Sequence, residues 1–278
     1  LRNARNVVYY TANPQKKEAG RMTDKTLPVA FFDSGLGGIS VLRETVRMLP
    51  HEDFLYYGDS LHAPYGVRPV EEVVRLSRDA VQLLLGRGIK AFVIACNTAT
   101  SAAAETLRRE FPELPIIGTE PALKPAVERH PGGRILVMAT AMTLNEKKFD
   151  DLRRHFLREA EIHSVACSGL MEFVERGELS GAALDGYLRE KLAPYLDAPI
   201  DAIVLGCTHY VFLKDAIQKA MPGVRLFDGN EGTSHQLRRV LSERGWLKEE
   251  GEGGVQLFSS AENPAVIRLM ERLLATKP

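Results

Sequence analysis

Ala91-Phe92-Val93-Ile94-Ala95-Cys96-Asn97-Thr98, and again Ile203-Val204-Leu205-Gly206-Cys207-Thr208-His209, decide the reading of this chain. Each stretch opens with an apolar run and ends in a cysteine followed by polar residues suited to a helix start. Unbroken apolar runs, as opposed to alternating ones, mark parallel strands covered on both faces. Two cysteines at matching strand ends therefore predict a duplicated α/β scaffold with a thiol near a helix N-terminus in each half. Two such thiols suit a site that attacks one carbon from both faces.

The rest of the chain carries the same alternation. Strands are expected at 29–32, 54–59, 91–95 and 115–118, with helices through about Met48, over 70–85 and over 100–111. The second half repeats the plan with strands at 134–139, 161–166 and 202–205. Its helices are expected at 144–156, 169–176, 182–196 and 211–220. A helix at 231–244, a strand at 255–258 and a helix at 264–274 complete one of the sheets, and 251–254 reads as an exposed loop. Asp33 precedes Cys96 by 63 positions and Thr140 precedes Cys207 by 67, which supports an internal duplication. The expected class is α/β, with two similar parallel-sheet domains.

Composition excludes several classes of function. The chain has 278 residues, 45% apolar and 26% charged, as in ordinary globular proteins. Lys plus Arg equals Asp plus Glu at 36 each, so no net field recruits nucleic acid or an anionic membrane. No apolar run approaches the roughly 18 residues of a membrane span. Three cysteines argue against a disulfide framework and fit a reducing, cytoplasmic setting. Residues 1–27 carry six basic residues against two acidic ones, and their only apolar cluster, Val7-Val8-Tyr9-Tyr10, is too short for a signal-peptide core. They are expected to be a disordered extension, with Met22 as the natural start.

Open α/β sheets bind ligands beyond the carboxyl ends of their strands. Asp33-Ser34, Asp59, Cys96-Asn97-Thr98, Thr140 and Cys207-Thr208-His209 all fall at such ends. Asp33-Ser34-Gly35-Leu36-Gly37-Gly38 lacks the full dinucleotide-loop spacing, and an acid at its head repels a pyrophosphate. A strand-end cysteine is often only a small buried hydrophobe. The polar neighbours of Cys96 and Cys207 favour chemistry, whereas Cys167 lacks them and reads as packing. No Cys-x-x-Cys or His-x₃-His spacing offers a zinc site. His209 is either a helix-start hydrogen-bonding group or the partner of Cys207. Bringing a free thiol from about 8.5 to about 7 takes roughly 2 kcal/mol, whereas a helix N-terminus supplies about 0.3–1 kcal/mol. A further group must help, either His209 or a substrate ammonium. Two rivals remain from the residues alone: a cysteine hydrolase built on Cys207 and His209, and a non-catalytic amino-acid-binding protein.

Four segments together resemble the glutamate racemases of the aspartate/glutamate racemase superfamily. They are Phe32-Asp33-Ser34-Gly35-Leu36-Gly37-Gly38, Ala63-Pro64-Tyr65-Gly66, Ala95-Cys96-Asn97-Thr98-Ala99 and Leu205-Gly206-Cys207-Thr208-His209-Tyr210. The resemblance runs from about Val29 to Leu274. It implies cofactor-independent interconversion of L- and D-glutamate by two cysteines, with D-glutamate supplied to peptidoglycan synthesis. Catalysis falls on Cys96 and Cys207, with Asp33, His209 and Glu175 assisting. Substrate contacts fall on Asp33, Ser34, Pro64, Tyr65, Gly66, Asn97, Thr98, Thr140, Thr143, Thr208 and His209. Cys96 is matched to the D-isomer and Cys207 to the L-isomer. Aspartate racemases tend to carry a histidine shortly after Cys-Asn-Thr and a glutamate after Gly-Cys-Thr; Thr100 and His209 stand here and point to glutamate. Val137-Met138-Ala139-Thr140-Ala141-Met142-Thr143 departs from the commoner Gly-Thr-x-x-Thr form but keeps both threonines. The implied architecture places 28–119 with 230–278 in one domain and 120–229 in the other. The two are related by a pseudo-twofold axis, with the site in the cleft between them. No metal, nucleic acid or membrane partner is implied, and a homodimer is compatible with the resemblance.

Overall fold

The computed structural model describes residues 24–197 and 199–276. Among these residues the strands are β1 (Val29–Asp33), β2 (Phe54–Gly58), β3 (Ala91–Ile94), β4 (Ile116–Gly118), β5 (Arg134–Ala139), β6 (Glu161–Ala166), β7 (Ala202–Leu205), β8 (Arg225–Asp228) and β9 (Val255–Ser259). They form two sheets, ordered β4-β3-β1-β2-β9 and β6-β5-β7-β8, and every pairing is parallel. The interior strands β1, β3 and β7 have no polar residue before their last position and are buried along their whole length, as covered parallel strands require. β6 and β8 lie at sheet edges and are correspondingly more exposed.

Two compact units result: one runs to Thr119 and resumes at Asn230, and the other spans Glu120–Gly229. Reading the second sheet from its other edge gives β8-β7-β5-β6. That order repeats β4-β3-β1-β2 element for element, with β9 added outside β2. The duplication is therefore one of topology, in which β1 corresponds to β5 and β3 to β7. Strand register refines the match. Phe32 pairs with Ile94, and Met138 with Leu205. Two positions further on, Ser34 stands to Cys96 as Thr140 stands to Cys207. The counterpart of Thr140 is thus Ser34, not its neighbour Asp33 as spacing alone suggested.

Glycines let these strand ends pack closely. A side chain on Gly58, the last residue of β2, would put its Cβ 2.4 Å from the Gly35 carbonyl oxygen. One on Gly206 would lie 2.9 Å from Ala139 Cβ, at the end of the neighbouring strand. In the second unit, Ile135, Val137, Ala139, Ala202 and Val204 pack with Phe149, Phe156, Leu123 and Val127 in one apolar cluster.

Several elements differ from the sequence expectation. The helix expected from Thr100 is Asn97–Glu110 and begins directly after Cys96. The stretch expected to be one helix from Leu144 is Ala141–Asn145 followed by Lys147–Phe156, because Glu146 is extended between them. Helix 182–196 ends at Leu192 and continues as a 3-10 turn, Ala193–Tyr195. The helix expected from Val211 begins earlier, as a 3-10 segment Thr208–Leu213, and becomes α-helical at Lys214–Ala220. A helix Leu123–Arg129 and the strand β8 were not anticipated. Of the expected disordered extension, Asp24–Thr26 form a 3-10 turn, and the Lys25 carbonyl accepts a hydrogen bond from Lys90 Nζ at 3.1 Å. Val7–Tyr10 and Met22 lie outside the described residues.

Candidate active site

The first unit holds Asp33, Ser34, Pro64, Tyr65, Gly66, Cys96, Asn97 and Thr98 at the carboxyl ends of β1, β2 and β3. Cys96 is extended and caps the helix Asn97–Glu110: its sulfur accepts the Ala99 N–H at 3.4 Å. Ser34 Oγ lies 3.6 Å from the same sulfur. When Cys96 is a thiolate, hydroxyl and amide both donate to it, next to the positive end of a helix dipole. Asp33 is fully buried, and its Oδ1 accepts the Gly35 N–H at 2.7 Å, closing the turn that presents Ser34. Asn97 and Thr98 are buried in the first helical turn.

Pro64 leads into a 3-10 turn, Tyr65–Val67. The Tyr65 ring is buried beside Phe32, and its hydroxyl donates to Asp59 Oδ2 at 2.7 Å. Burial and the Asp59 carboxylate push the Tyr65 phenol far above its ordinary value. With its hydroxyl committed to Asp59, Tyr65 offers a ligand its backbone before its phenol.

The second unit holds Thr140, Thr143, Glu175, Cys207, Thr208 and His209. Cys207 also follows a strand end, but the segment after it is a 3-10 helix and its sulfur makes no capping bond. The expected helix N-terminus is therefore absent here: a short 3-10 segment supplies little of the aligned dipole of an α-helix. The assistance comes from side chains. Cys207 Sγ lies 3.7 Å from His209 Nδ1, and His209 Nε2 lies 2.7 Å from Glu175 Oε1. Burial works against a charge on His209, but its hydrogen bonds to Cys207 and Glu175 outweigh it and raise its proton affinity well above the ordinary value. As an imidazolium it donates once to the thiolate and once to the carboxylate. Thr140 caps the helix Ala141–Asn145: its Oγ1 accepts the Thr143 N–H at 3.2 Å and lies 3.0 Å from Thr143 Oγ1.

Cys167 belongs to neither set. It is fully buried, and burial pushes its thiol up to about 12, which leaves it protonated and inert near neutral pH. Among the described residues no three His, Cys, Asp or Glu side chains are grouped to hold a metal ion, and no helix is long and apolar enough to cross a membrane.

The Asp/Glu/Hydantoin racemase family matches residues 37–236. The glutamate racemase of Clostridium perfringens is 48% identical over 255 residues, covering 91% of this chain and 98% of that protein. The chain belongs to the glutamate racemases, a group of amino-acid racemases. Solved structures agree. A glutamate racemase isoform from Bacillus anthracis superposes with a TM-score of 0.80 at 30% identity, covering 91% of this chain and 96% of that one. The Francisella tularensis glutamate racemase in complex with D-glutamate gives 0.79 at 26% identity, covering 91% and 95%.

One group at these strand ends has no role implied by its sequence context: Asp59 is buried and bonded to both His62 and Tyr65. Its signal was position: it follows β2 as Ser34 follows β1.

Proposed function

We propose that this chain interconverts L- and D-glutamate by two-base proton transfer at the α-carbon, with Cys96 and Cys207 as the bases. One thiolate takes the α-proton, breaking the Cα–H bond and leaving a carbanion. The other thiol delivers its own proton to the opposite face. The configuration inverts, the two cysteines exchange protonation states, and the reverse reaction restores them. Following the resemblance, Cys207 acts on the L-isomer and Cys96 on the D-isomer. The observation that carries the reading is the pair of thiols at equivalent strand ends, each with its own hydrogen-bond donor.

Positioned acid–base groups contribute about 10²–10⁴-fold, so much of the barrier falls to electrostatic stabilisation of the carbanion. Backbone amides after Ser34, Asn97 and Thr208 are the proposed donors to the substrate carboxylates. Asp33, Pro64, Tyr65, Gly66, Thr98, Thr140 and Thr143 complete the proposed contacts. A cytoplasmic setting, where thiols stay reduced, suits this chemistry, and supply of D-glutamate to peptidoglycan synthesis is the proposed use.

The chain Cys207–His209–Glu175 would also serve a cysteine-nucleophile hydrolase, a reading that leaves Cys96 and Ser34 without a task. Incubation with L-glutamate in deuterated water separates the two. Loss of optical rotation together with α-deuterium incorporation is expected without added cofactor, and each of Cys96→Ala and Cys207→Ala should abolish racemisation while leaving the fold intact. Absence of α-exchange in the unaltered protein overturns the assignment. Retained racemisation in either variant overturns the two-base mechanism.

A further inference from the structure

We propose that Asp59 is a positioning residue of the first half-site: its buried carboxylate clamps the loop Ala63-Pro64-Tyr65-Gly66 in its ligand-receiving shape. The inference rests on the racemase reading above and extends it to a residue outside the proposed site set. Asp59 is 3% exposed, directly beyond β2. Its backbone N–H donates to the Asp33 carbonyl at 2.9 Å, which fixes it to the end of β1. Its side chain takes two donors from the loop: the Tyr65 hydroxyl at 2.7 Å on Oδ2, and His62 Nδ1 at 2.8 Å on Oδ1. Arg68 closes the other side, since its Nε donates to the His62 carbonyl at 2.5 Å.

A buried carboxylate is expensive to desolvate and persists where its acceptor capacity is used. Here both oxygens are used, and both donors belong to one loop. An amide at this position has a single acceptor oxygen, so Asp59→Asn forfeits one of the two bonds and turns an N–H₂ toward the other donor. The Tyr65 ring is already packed against Phe32, with its hydroxyl on Asp59. Loss of the clamp therefore frees the backbone of Tyr65 and Gly66 without emptying the core. That backbone is what the loop presents to substrate, so the clamp acts on substrate binding and leaves the thiols untouched.

The test is steady-state kinetics with L-glutamate on Asp59→Asn and Tyr65→Phe, each first checked for an unaltered circular dichroism spectrum. KM is expected to rise about tenfold in each, the equivalent of one hydrogen bond to a charged group, with kcat changed far less. The double variant should fall well short of the sum of the two single losses, because both loosen the same loop. Unchanged KM in folded Tyr65→Phe, or a loss confined to kcat, overturns the proposal, as does full additivity in the double variant. Should Asp59→Asn not fold, Tyr65→Phe decides alone. Failure of the racemase reading would show separately, as absence of α-deuterium exchange in the unaltered protein.

Discussion

Glu175→Gln keeps the shape of the second half-site and removes one charge from it. In the folded protein Glu175 Oε1 lies 2.7 Å from His209 Nε2, with the Glu175 side chain 21% exposed and that of His209 3%. A hydrogen bond to a charged group contributes about 1.5–3 kcal/mol, and partial exposure argues for the lower half of that range. About 2 kcal/mol corresponds to roughly a 30-fold loss of kcat/KM, if the imidazolium at His209 supports the Cys207 thiolate in the transition state. The enantiomers of glutamate have equal free energy in water, so the loss must be the same in both directions. Direction shows elsewhere. In the proposed mechanism, weakening Cys207 raises only the barrier at which it exchanges the proton, so the primary isotope effect with α-deuterated L-glutamate should increase and that with the D-isomer should shrink. The pH profile should move too. Glu175 helps to hold the His209 proton affinity above its ordinary value, so removing its charge lowers that affinity and shifts the basic limb of kcat/KM to lower pH. Circular dichroism at both starting enantiomers, with and without α-deuterium, measures all of this. A kcat/KM within about twofold of the unaltered protein, or an isotope effect that grows on the D-side instead, refutes the relay.

Two further outcomes follow from buried groups elsewhere. Lys90 and Glu52 form an ion pair at 2.6 Å with both side chains wholly buried, and Lys90 also donates to the Trp246 carbonyl at 2.9 Å. Lys90→Met strands the carboxylate and should destabilise the fold by about 3–5 kcal/mol, read as a lowered urea midpoint; a loss under about 1 kcal/mol contradicts the burial argument. Cys167→Ala should lower stability by about 1 kcal/mol while leaving kcat/KM unchanged, because the Cys167 thiol is too weak an acid to serve as a base at neutral pH. Abolished racemisation in that variant would give Cys167 a role that its burial denies it.

What could be read from the sequence was governed by burial. Covered strands such as Ala91–Ile94 and Ala202–Leu205 announce themselves because both faces must be apolar, and amphipathic Val70–Leu85 shows its stripe at helical spacing. Edge strand β8 hides because Arg225 and Asp228 bracket only two apolar residues and one face stays wet. The helix Leu123–Arg129 hides behind Pro125, which reads as a breaker but sits in the first turn, where its missing N–H has no helical partner to lose. The break at Glu146 is equally silent: Thr140 and Glu146 each start a new helix, and the apolar pattern runs across both. At the site, adjacency in sequence disclosed Cys207 with His209. Ser34 meets Cys96 through strand register and Glu175 meets His209 through packing of a helix against the 3-10 segment, which local pattern does not encode.

Register also explains why duplication did not yield two identical half-sites. The same strand order delivers a thiol and a hydroxyl residue to equivalent places, Cys96 with Ser34 and Cys207 with Thr140, so the scaffold alone sets that much. The groups that would steady a thiolate are then recruited differently. Cys96 heads an α-helix of 14 residues and has two neutral donors, the Ser34 hydroxyl and the Ala99 N–H. Cys207 heads only a 3-10 segment, so the dipole is largely missing, and a buried imidazolium held by Glu175 takes its place. A neutral-donor site responds weakly to pH, whereas one that depends on a protonated histidine is lost when that proton leaves. The two halves of the proposed proton transfer therefore differ in what they are sensitive to, although thermodynamics obliges the forward and reverse directions to share one kcat/KM. Any pH dependence of the basic limb is expected to originate at Cys207 and His209, and the Cys96 side should follow it passively.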